Sequence, residues 1–196
     1  MFTGIIESIS TVENIEKSGD NLTFEMSSSI SNDLTIDQSV SHNGICLTVE
    51  SVQNGIHKVT AIKETLEKTN AGKWEKGQLI NIERCMTFNG RMDGHIVQGH
   101  VDATATCSEI NDANGSWIIN FKFDTKFAHL MIEKGSICIN GISLTCFNVM
   151  DDTFSVAIIP YTWQHTNMQY LQPKDIVNIE FDIIGKYLAR FKSLAR

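Results

Sequence analysis

The sequence predicts an all-β fold of two homologous domains with a helix at the C-terminus. Three observations carry that prediction: an internal repeat at constant offset, short β-branched segments separated by tight-turn signals, and a helical apolar period confined to the tail.

Residues 39–83 and 136–180 align without a gap at an offset of 97, and fifteen of the 45 pairs are identical. They are Ser39/Ser136, Asn43/Asn140, Gly44/Gly141, Ile45/Ile142, Leu47/Leu144, Thr48/Thr145, Val52/Val149, Val59/Val156, Ile62/Ile159, Thr65/Thr162, Thr69/Thr166, Asn70/Asn167, Asn81/Asn178, Ile82/Ile179 and Glu83/Glu180. The openings correspond at a slightly different offset, Thr3-Gly4-Ile5-Ile6-Glu7 against Gln98-Gly99-His100-Val101-Asp102. The repeat units are roughly 1–88 and 95–185; with the connection assigned to the first, the domains are 1–94 and 95–185, followed by a helix at 186–196.

Each unit reads as β. Segments 39–52, 57–62, 78–83, 117–123 and 154–159 are short and rich in Val, Ile and Thr. Asn43-Gly44 and Asn140-Gly141 are hairpin-turn signals. About six strands per unit fit a small closed barrel, which leaves no sheet edge exposed. Residues 64–70 and 125–133 read as short helices. In the tail, Ile183, Ile184, Tyr187, Leu188, Phe191 and Leu194 recur at helical spacing with Lys186, Arg190, Lys192 and Arg196 between them. Basic residues suit a helix C-terminus. Such a helix either packs on its own barrel or pairs with copies of itself.

Composition narrows the function classes. Of 196 residues, 42% are hydrophobic and 20% charged, which excludes a disordered chain. A net charge of −7 disfavours a binder of phosphate backbones, so no nucleic-acid partner is expected. No apolar run approaches the ~20 residues that span a bilayer, and MFTGIIESIS has no targeting signature. A cytoplasmic location without a membrane partner is the expectation. The five cysteines are irregularly spaced with no CxxC pair, which fits buried thiols in a reducing compartment and no metal site.

Two constellations can carry chemistry. In GHIVQGHVD, residues 94–102, two His five apart do not share a helix face or match a helical metal motif. The Gly-His pairs are either local loop structure or a place where glycine admits a flat ligand to the backbone and an imidazole offers a titratable partner. The second is the repeated hairpin NGICLT/NGISLT. Strand residues two apart share a face, so Cys46 with Thr48, and Ser143 with Thr145, each aim two small polar groups at one point. Such groups can clasp the carbonyl and amide edge of a heterocycle. The repeats are also unequal: Cys46 stands opposite Ser143, Cys85 opposite Asp182, Lys63 opposite Pro160 and Ile5 opposite His100. Two related sites of unequal polarity suit two copies of one molecule in different roles.

In order and spacing, MFTGIIE at 1–7, SVxxNGxCLTV at 39–49, GHxxxGHVD at 94–102, NGISLT at 140–145, IPYT at 159–162 and NIEFDxIGKY at 178–187 resemble the riboflavin synthases of alpha-chain type, over essentially the whole chain. The resemblance implies two six-stranded antiparallel β-barrels and a C-terminal helix, joined as a homotrimer through the helices. It implies dismutation of two molecules of 6,7-dimethyl-8-ribityllumazine by four-carbon transfer, with no cofactor, and an active site between the N-barrel of one subunit and the C-barrel of its neighbour. Association with lumazine synthase is a further partner it raises.

Carried over by position, an N-barrel pocket would use Gly4, Ile5, Ile6, Ser39, Cys46, Leu47, Thr48 and the segment Thr60, Ala61, Ile62, Lys63, Glu64 and Thr65. A C-barrel pocket would use Gly99, His100, Val101, Ser143, Leu144, Thr145 and the segment Ile158, Ile159, Pro160, Tyr161, Thr162 and Trp163, with Lys134 reaching across a subunit boundary. The catalytic set would be Phe2, Ser39, Cys46, His100, Ser143, Thr145 and Asp182, with Phe2 stacking on a ring and excluding water. Tyr161 and Asp93 stand where relatives commonly have His and Gly. A non-catalytic lumazine antenna protein shares this fold but usually lacks the GHxxxGH pattern and the first hairpin's Cys. A generic duplicated barrel acting as an interaction module would need no small polar pocket residues.

Overall fold

The structure, a computed structural model, describes residues 1–195; Arg196, the last basic residue of the tail, lies outside the described residues. Alternation of inward apolar and outward polar residues organises twelve strands into two closed antiparallel barrels. The first contains β1 (Ser8–Ser18), β2 (Asn21–Ser27), β3 (Ser39–His42), β4 (Ile45–Gln53), β5 (Ile56–Ala61) and β6 (Leu79–Arg84), joined in the cyclic order β1-β2-β5-β4-β3-β6. The second repeats it with β7 (Ala103–Asp112), β8 (Trp117–Lys122), β9 (Ser136–Ile139), β10 (Ile142–Phe147), β11 (Thr153–Ile158) and β12 (Ile176–Phe181). Short helices α1 (Lys63–Lys68) and α2 (Pro160–His165) occupy equivalent places, and residues 125–130 form a 3-10 turn. Register shifts at Val12/Asn14 and Cys107/Glu109 fall at matching positions, bending each first strand so that its sheet can close.

The Asn-Gly pairs make the β3–β4 and β9–β10 hairpins, as their sequence predicts. Asn43 (φ 47°), Gly44 (φ 79°), Asn140 (φ 46°) and Gly141 (φ 83°) all take the left-handed backbone that a two-residue hairpin turn demands. The two turns meet. A Cβ on Gly44 would lie 2.9 Å from the Gly141 nitrogen, and one on Gly141 would lie 2.9 Å from the Gly44 nitrogen. Only glycine admits this approach.

Around that contact six asparagines join the barrels about a pseudo-twofold axis. The Asn81 side-chain amide donates to the Asn140 carbonyl (2.9 Å) and to Asn167 Oδ1 (2.8 Å), and its Oδ1 accepts the Asn167 backbone N–H (2.7 Å). Asn178 repeats the pattern on the Asn43 carbonyl (2.9 Å), Asn70 Oδ1 (2.9 Å) and the Asn70 N–H (2.7 Å). Asn43 and Asn140 in turn accept the backbone N–H groups of Asn81 and Asn178 on their Oδ1 atoms, each at 2.9 Å. These are three of the identical pairs of the repeat. Their identity serves the join.

The interiors differ. The second barrel is filled by apolar side chains including Ile139 and Phe154. At the equivalent positions the first barrel holds His42 and His57, both fully buried, whose Nε2 atoms lie 2.9 Å apart. His42 Nδ1 meets the Val40 carbonyl (3.1 Å), so it must donate there. His57 then donates to His42 through Nε2 and accepts at Nδ1 from Ser31 (2.8 Å). This one-way chain needs both rings neutral, and burial pushes His42 down to about 3 and His57 down to about 4.

Helix α3 runs Ile183–Leu194, starting three residues before the boundary expected at 186, because Asp182 caps it by accepting the Ile184 N–H (2.9 Å). Lys186 ties it to the barrel through both oxygens of Asp102 (3.0 and 2.9 Å). Ile184, Tyr187, Leu188, Phe191 and Leu194 nevertheless remain 58–66% exposed. The helix is moored to its own barrel by Lys186, with Ile183, Gly185 and Ala189 half-buried beside it, and leaves the other five large apolar side chains of its stripe uncovered. Among the described residues no helix is long and apolar enough to cross a membrane.

Replacing Asn178 by Ala strands two buried backbone groups, the Asn43 carbonyl and the Asn70 N–H, while Asn70 Oδ1 keeps the Trp74 indole N–H (3.0 Å). Each stranded group costs roughly 1–3 kcal/mol. Urea unfolding should show a loss of at least about 2 kcal/mol, and a near-neutral result would contradict the network's role. For the histidines, the unfolded state binds protons that the folded state refuses. The stability they allow is therefore full above pH ~6.5 and falls as pH drops toward about 4 and then 3. The double variant His42→Ile with His57→Phe, which copies the second barrel, should flatten the pH dependence of unfolding free energy across that window.

Candidate functional site

Two buried carboxylates shape the site's loops. Glu83 accepts the Thr3 N–H and hydroxyl on one oxygen (both 2.7 Å) and the Gly4 N–H on the other (3.0 Å). Glu180 does the same for Gln98 (2.7 Å), Gly99 (2.9 Å) and His100 (2.9 Å). Burial pushes both carboxyls up, and the converging N–H donors hold them back. In the sequence Glu83 and Glu180 stand out only as an identical pair; their strand-end position, with a glycine-bearing segment in each repeat, is the signal that could have found them.

Each loop then crosses to the other barrel. The Gly4 carbonyl accepts the Ser143 N–H (2.8 Å), and the Gly99 carbonyl accepts the Cys46 N–H (2.9 Å). Both glycines have positive φ, 78° and 80°, and a Cβ on either would lie 2.6 Å from the Cβ of its partner. Ile6 packs against the second barrel's core and Val101 against the first's. This corrects the expected grouping, which put Gly4, Ile5 and Ile6 with Cys46, and Gly99, His100 and Val101 with Ser143. The loops are exchanged because each glutamate anchors its loop at the seam, where the free carbonyl faces the neighbouring barrel.

One face therefore combines Cys46, Thr48 and Ser39 with Gly99 and His100. Cys46 and Thr48 share the outer side of β4, and Ser39 lies opposite Thr48. Burial pushes the Cys46 thiol up, and the Ser39 side chain partly offsets this. Cys85 donates its thiol hydrogen to the Ser39 carbonyl (3.0 Å). His100 is exposed, its backbone fixed by Glu180. Phe2 differs from expectation. Its ring is 1% exposed and packs with Val97 and Cys138 beneath Cys46. It is held there by the Phe2–Val97 backbone pair (2.7 and 3.1 Å) and forms a floor, with no face turned to solvent.

The other face combines Ser143 and Thr145 with Gly4 and the exposed Ile5. His95 Nδ1 lies 2.7 Å from Ser143 Oγ. Burial pushes the His95 imidazole down, opposed by the Asp182 carboxylate, so Asp182 is a neighbour of this pair as well as the α3 cap. His95 belongs to the Gly-His motif but not to the expected site; only the fold shows that it reaches Ser143. Lys134 sits at the turn into β9, its ammonium 4.9 Å above the Phe147 ring.

Both faces have an outer wall. Val49 pairs with Val59 and Cys146 with Val156, so the ladders run Cys46 toward Ile62 and Ser143 toward Ile159. Ile62, Ile159 and Tyr161 are exposed, while Leu47, Ala61 and Ile158 point into the cores and offer only backbone groups. Lys63, Glu64 and Pro160 are exposed, and Thr60, Thr65, Leu144, Thr162 and Trp163 half-buried, along the same margins. Each face is thus an apolar-rimmed surface with a hydroxyl or thiol pair and bare peptide groups. A flat, carbonyl-rich heterocycle fits that chemistry.

Comparison with known proteins shows the family. The lumazine binding domain family matches twice, at residues 3–85 and 98–182. A riboflavin synthase of Actinobacillus pleuropneumoniae is 39% identical over 97% of this chain and 89% of its own length. One of Bacillus subtilis is 38% identical over the same shares, and one of Saccharomyces cerevisiae is 34% identical over 97% of this chain and 85% of its own. Among solved structures, LumP complexed with riboflavin superposes with a TM-score of 0.86 at 21% identity, covering 92% of this chain and 99% of LumP.

The raised Cys46 thiol is directly testable. Its alkylation by iodoacetamide, followed by mass spectrometry across pH, should show a midpoint above the ~8.5 of a free thiol. A midpoint below that value would mean an activated thiolate and contradict the burial argument.

Proposed function

The chain belongs to the riboflavin synthase family, and we propose that its catalytic centre forms where the Cys46 face of one copy meets the Ser143 face of another. It is an enzyme of riboflavin formation: two molecules of 6,7-dimethyl-8-ribityllumazine dismutate, one giving four carbons to the other, to yield riboflavin and 5-amino-6-ribitylaminouracil. The atoms balance between substrate and products, so the exchange consumes no external oxidant or reductant.

The observation that carries the proposal is the pair of unequal faces. A dismutation needs the same molecule held in two roles, and Cys46 with exposed His100 differs chemically from Ser143 backed by buried His95 and Asp182. The uncovered stripe of α3 supports association of copies: five large apolar side chains at helical spacing on a chain of net charge −7 call for a partner surface. A homotrimer joined through these helices, active in the cytoplasm where five free thiols stay reduced, is the assembly we propose.

The roles follow from position. Holding two rings face to face replaces a bimolecular encounter and supplies up to roughly 7–11 kcal/mol of the barrier. A methyl group of the electron-poor ring must lose a proton, and in this reading His100, exposed next to Gly99 on the Cys46 face, relays it. On the Cys46 face, the thiol or a water held with Ser39 adds to the acceptor ring. On the Ser143 face, Ser143, Thr145 and Asp182 polarise the donor, with His95 orienting the Ser143 hydroxyl. Phe2 keeps the floor under Cys46 rigid.

Purified protein incubated with the lumazine should produce riboflavin, read by its visible absorbance; a stable complex without turnover would indicate a carrier and overturn the reading. The variant Leu188→Asp with Phe191→Asp should sediment as a monomer and lose nearly all turnover. An active monomer would sink the shared centre.

A further inference from the structure

Another concave surface lies at the join of the barrels, lined by none of the residues assigned to catalysis. It is a groove of about 630 Å³ on the pseudo-twofold axis. Its floor is Asn43 and Asn140, and its flanks carry equivalent segments of the two repeats, with Lys73 on one side and Lys174 and Tyr170 on the other. The volume falls in the range of small-molecule sites.

The floor is unusual. Asn43 is 1% and Asn140 5% exposed. The orientation of each amide is set by its oxygen, because Oδ1 accepts a backbone N–H, from Asn81 or Asn178. The amide nitrogens must then point the opposite way. Among the described residues neither Nδ2 has a hydrogen-bond partner, yet no fully buried side-chain nitrogen is left unsatisfied. Each Nδ2 is therefore open at the groove. Two symmetry-related NH2 groups at the bottom of one cavity call for an acceptor-rich occupant, since nearly buried donors seldom go unpaired.

The walls give that occupant a sign. Neither Lys73 nor Lys174 pairs with a carboxylate among the described residues. The lining's one carboxylate, Asp175, already accepts the Gln172 N–H (2.8 Å). With two lysines to one carboxylate in its lining and two amide NH2 groups on its floor, the groove is locally positive in a chain of net charge −7. We propose that this groove is a second, non-catalytic ligand site for a small phosphate monoester, its oxyanion bound by the Asn43 and Asn140 amides between Lys73 and Lys174. Oxygens of one phosphate can accept from both amides while the lysines neutralise its charge. The remaining volume and the apolar Leu79, Leu171 and Ile176 leave room for the esterified group.

The full-length protein would be titrated with glycerol phosphate and with inorganic phosphate, following the side-chain amide resonances of Asn43 and Asn140 by NMR. Both resonances should move saturably with either probe, more tightly with the ester. The variant Lys73→Ala with Lys174→Ala, which leaves the asparagine network intact, should weaken binding about tenfold while lumazine turnover is unchanged. The proposal fails if the resonances do not move, meaning that water alone fills the groove. It fails equally if shifts appear only around Cys46 and Ser143, or if the lysine variant binds as well as the parent.

Discussion

Everything in this molecule is referred to the contact of two glycines. Gly44 and Gly141 touch backbone to backbone, and that approach lets Asn81 and Asn178 reach the carbonyls of the opposite hairpin. A side chain at either glycine would force the barrels apart and break the hydrogen bonds of a largely buried network. The strands that leave the two turns are β4 and β10, which carry Cys46 and Ser143. The constraint that joins the barrels therefore also sets the relative placement of the two candidate faces.

Duplication explains the likeness of the two faces, and divergence explains their difference. The backbone of both faces is the same: a strand after an Asn-Gly turn, a buried glutamate, and a glycine carbonyl handed across the seam. The side chains laid on it are different, with a thiol where the other has a hydroxyl, and His100 where the other has Ile5. On the proposed reading, equal backbone lets both bind one kind of molecule and unequal side chains let them treat it differently. The same divergence reaches the interiors, where a histidine chain in one barrel answers Ile139 and Phe154 in the other.

The sequence is most informative where local rules govern. Asn-Gly turns, strand alternation and the helical period of the tail depend on neighbours a few residues away, and all appear in the structure. The pairing of Cys46 with Thr48 and of Ser143 with Thr145 follows from strand period alone. What is not legible depends on contacts between the repeats. Nothing in the spacing of Gly4 and Ser143, or of Gly99 and Cys46, shows that each loop serves the other barrel. Nothing in GHIVQGHVD shows that the first His, and not the second, reaches Ser143. The resemblance implies a stacking role for Phe2; its burial comes from pairing with Val97, 95 positions away, which local sequence does not show.

The central claim is that one catalytic centre draws its two faces from two chains. Complementation tests it most directly. Thr48→Arg should block the Cys46 face and Thr145→Arg the Ser143 face, so that each variant alone makes no riboflavin. Co-expressed, the two should regain a clear fraction of the parental turnover, because some seams then join an intact Cys46 face to an intact Ser143 face. If the mixed assemblies form and still make no riboflavin, both faces must come from one chain, and a centre shared between chains is ruled out.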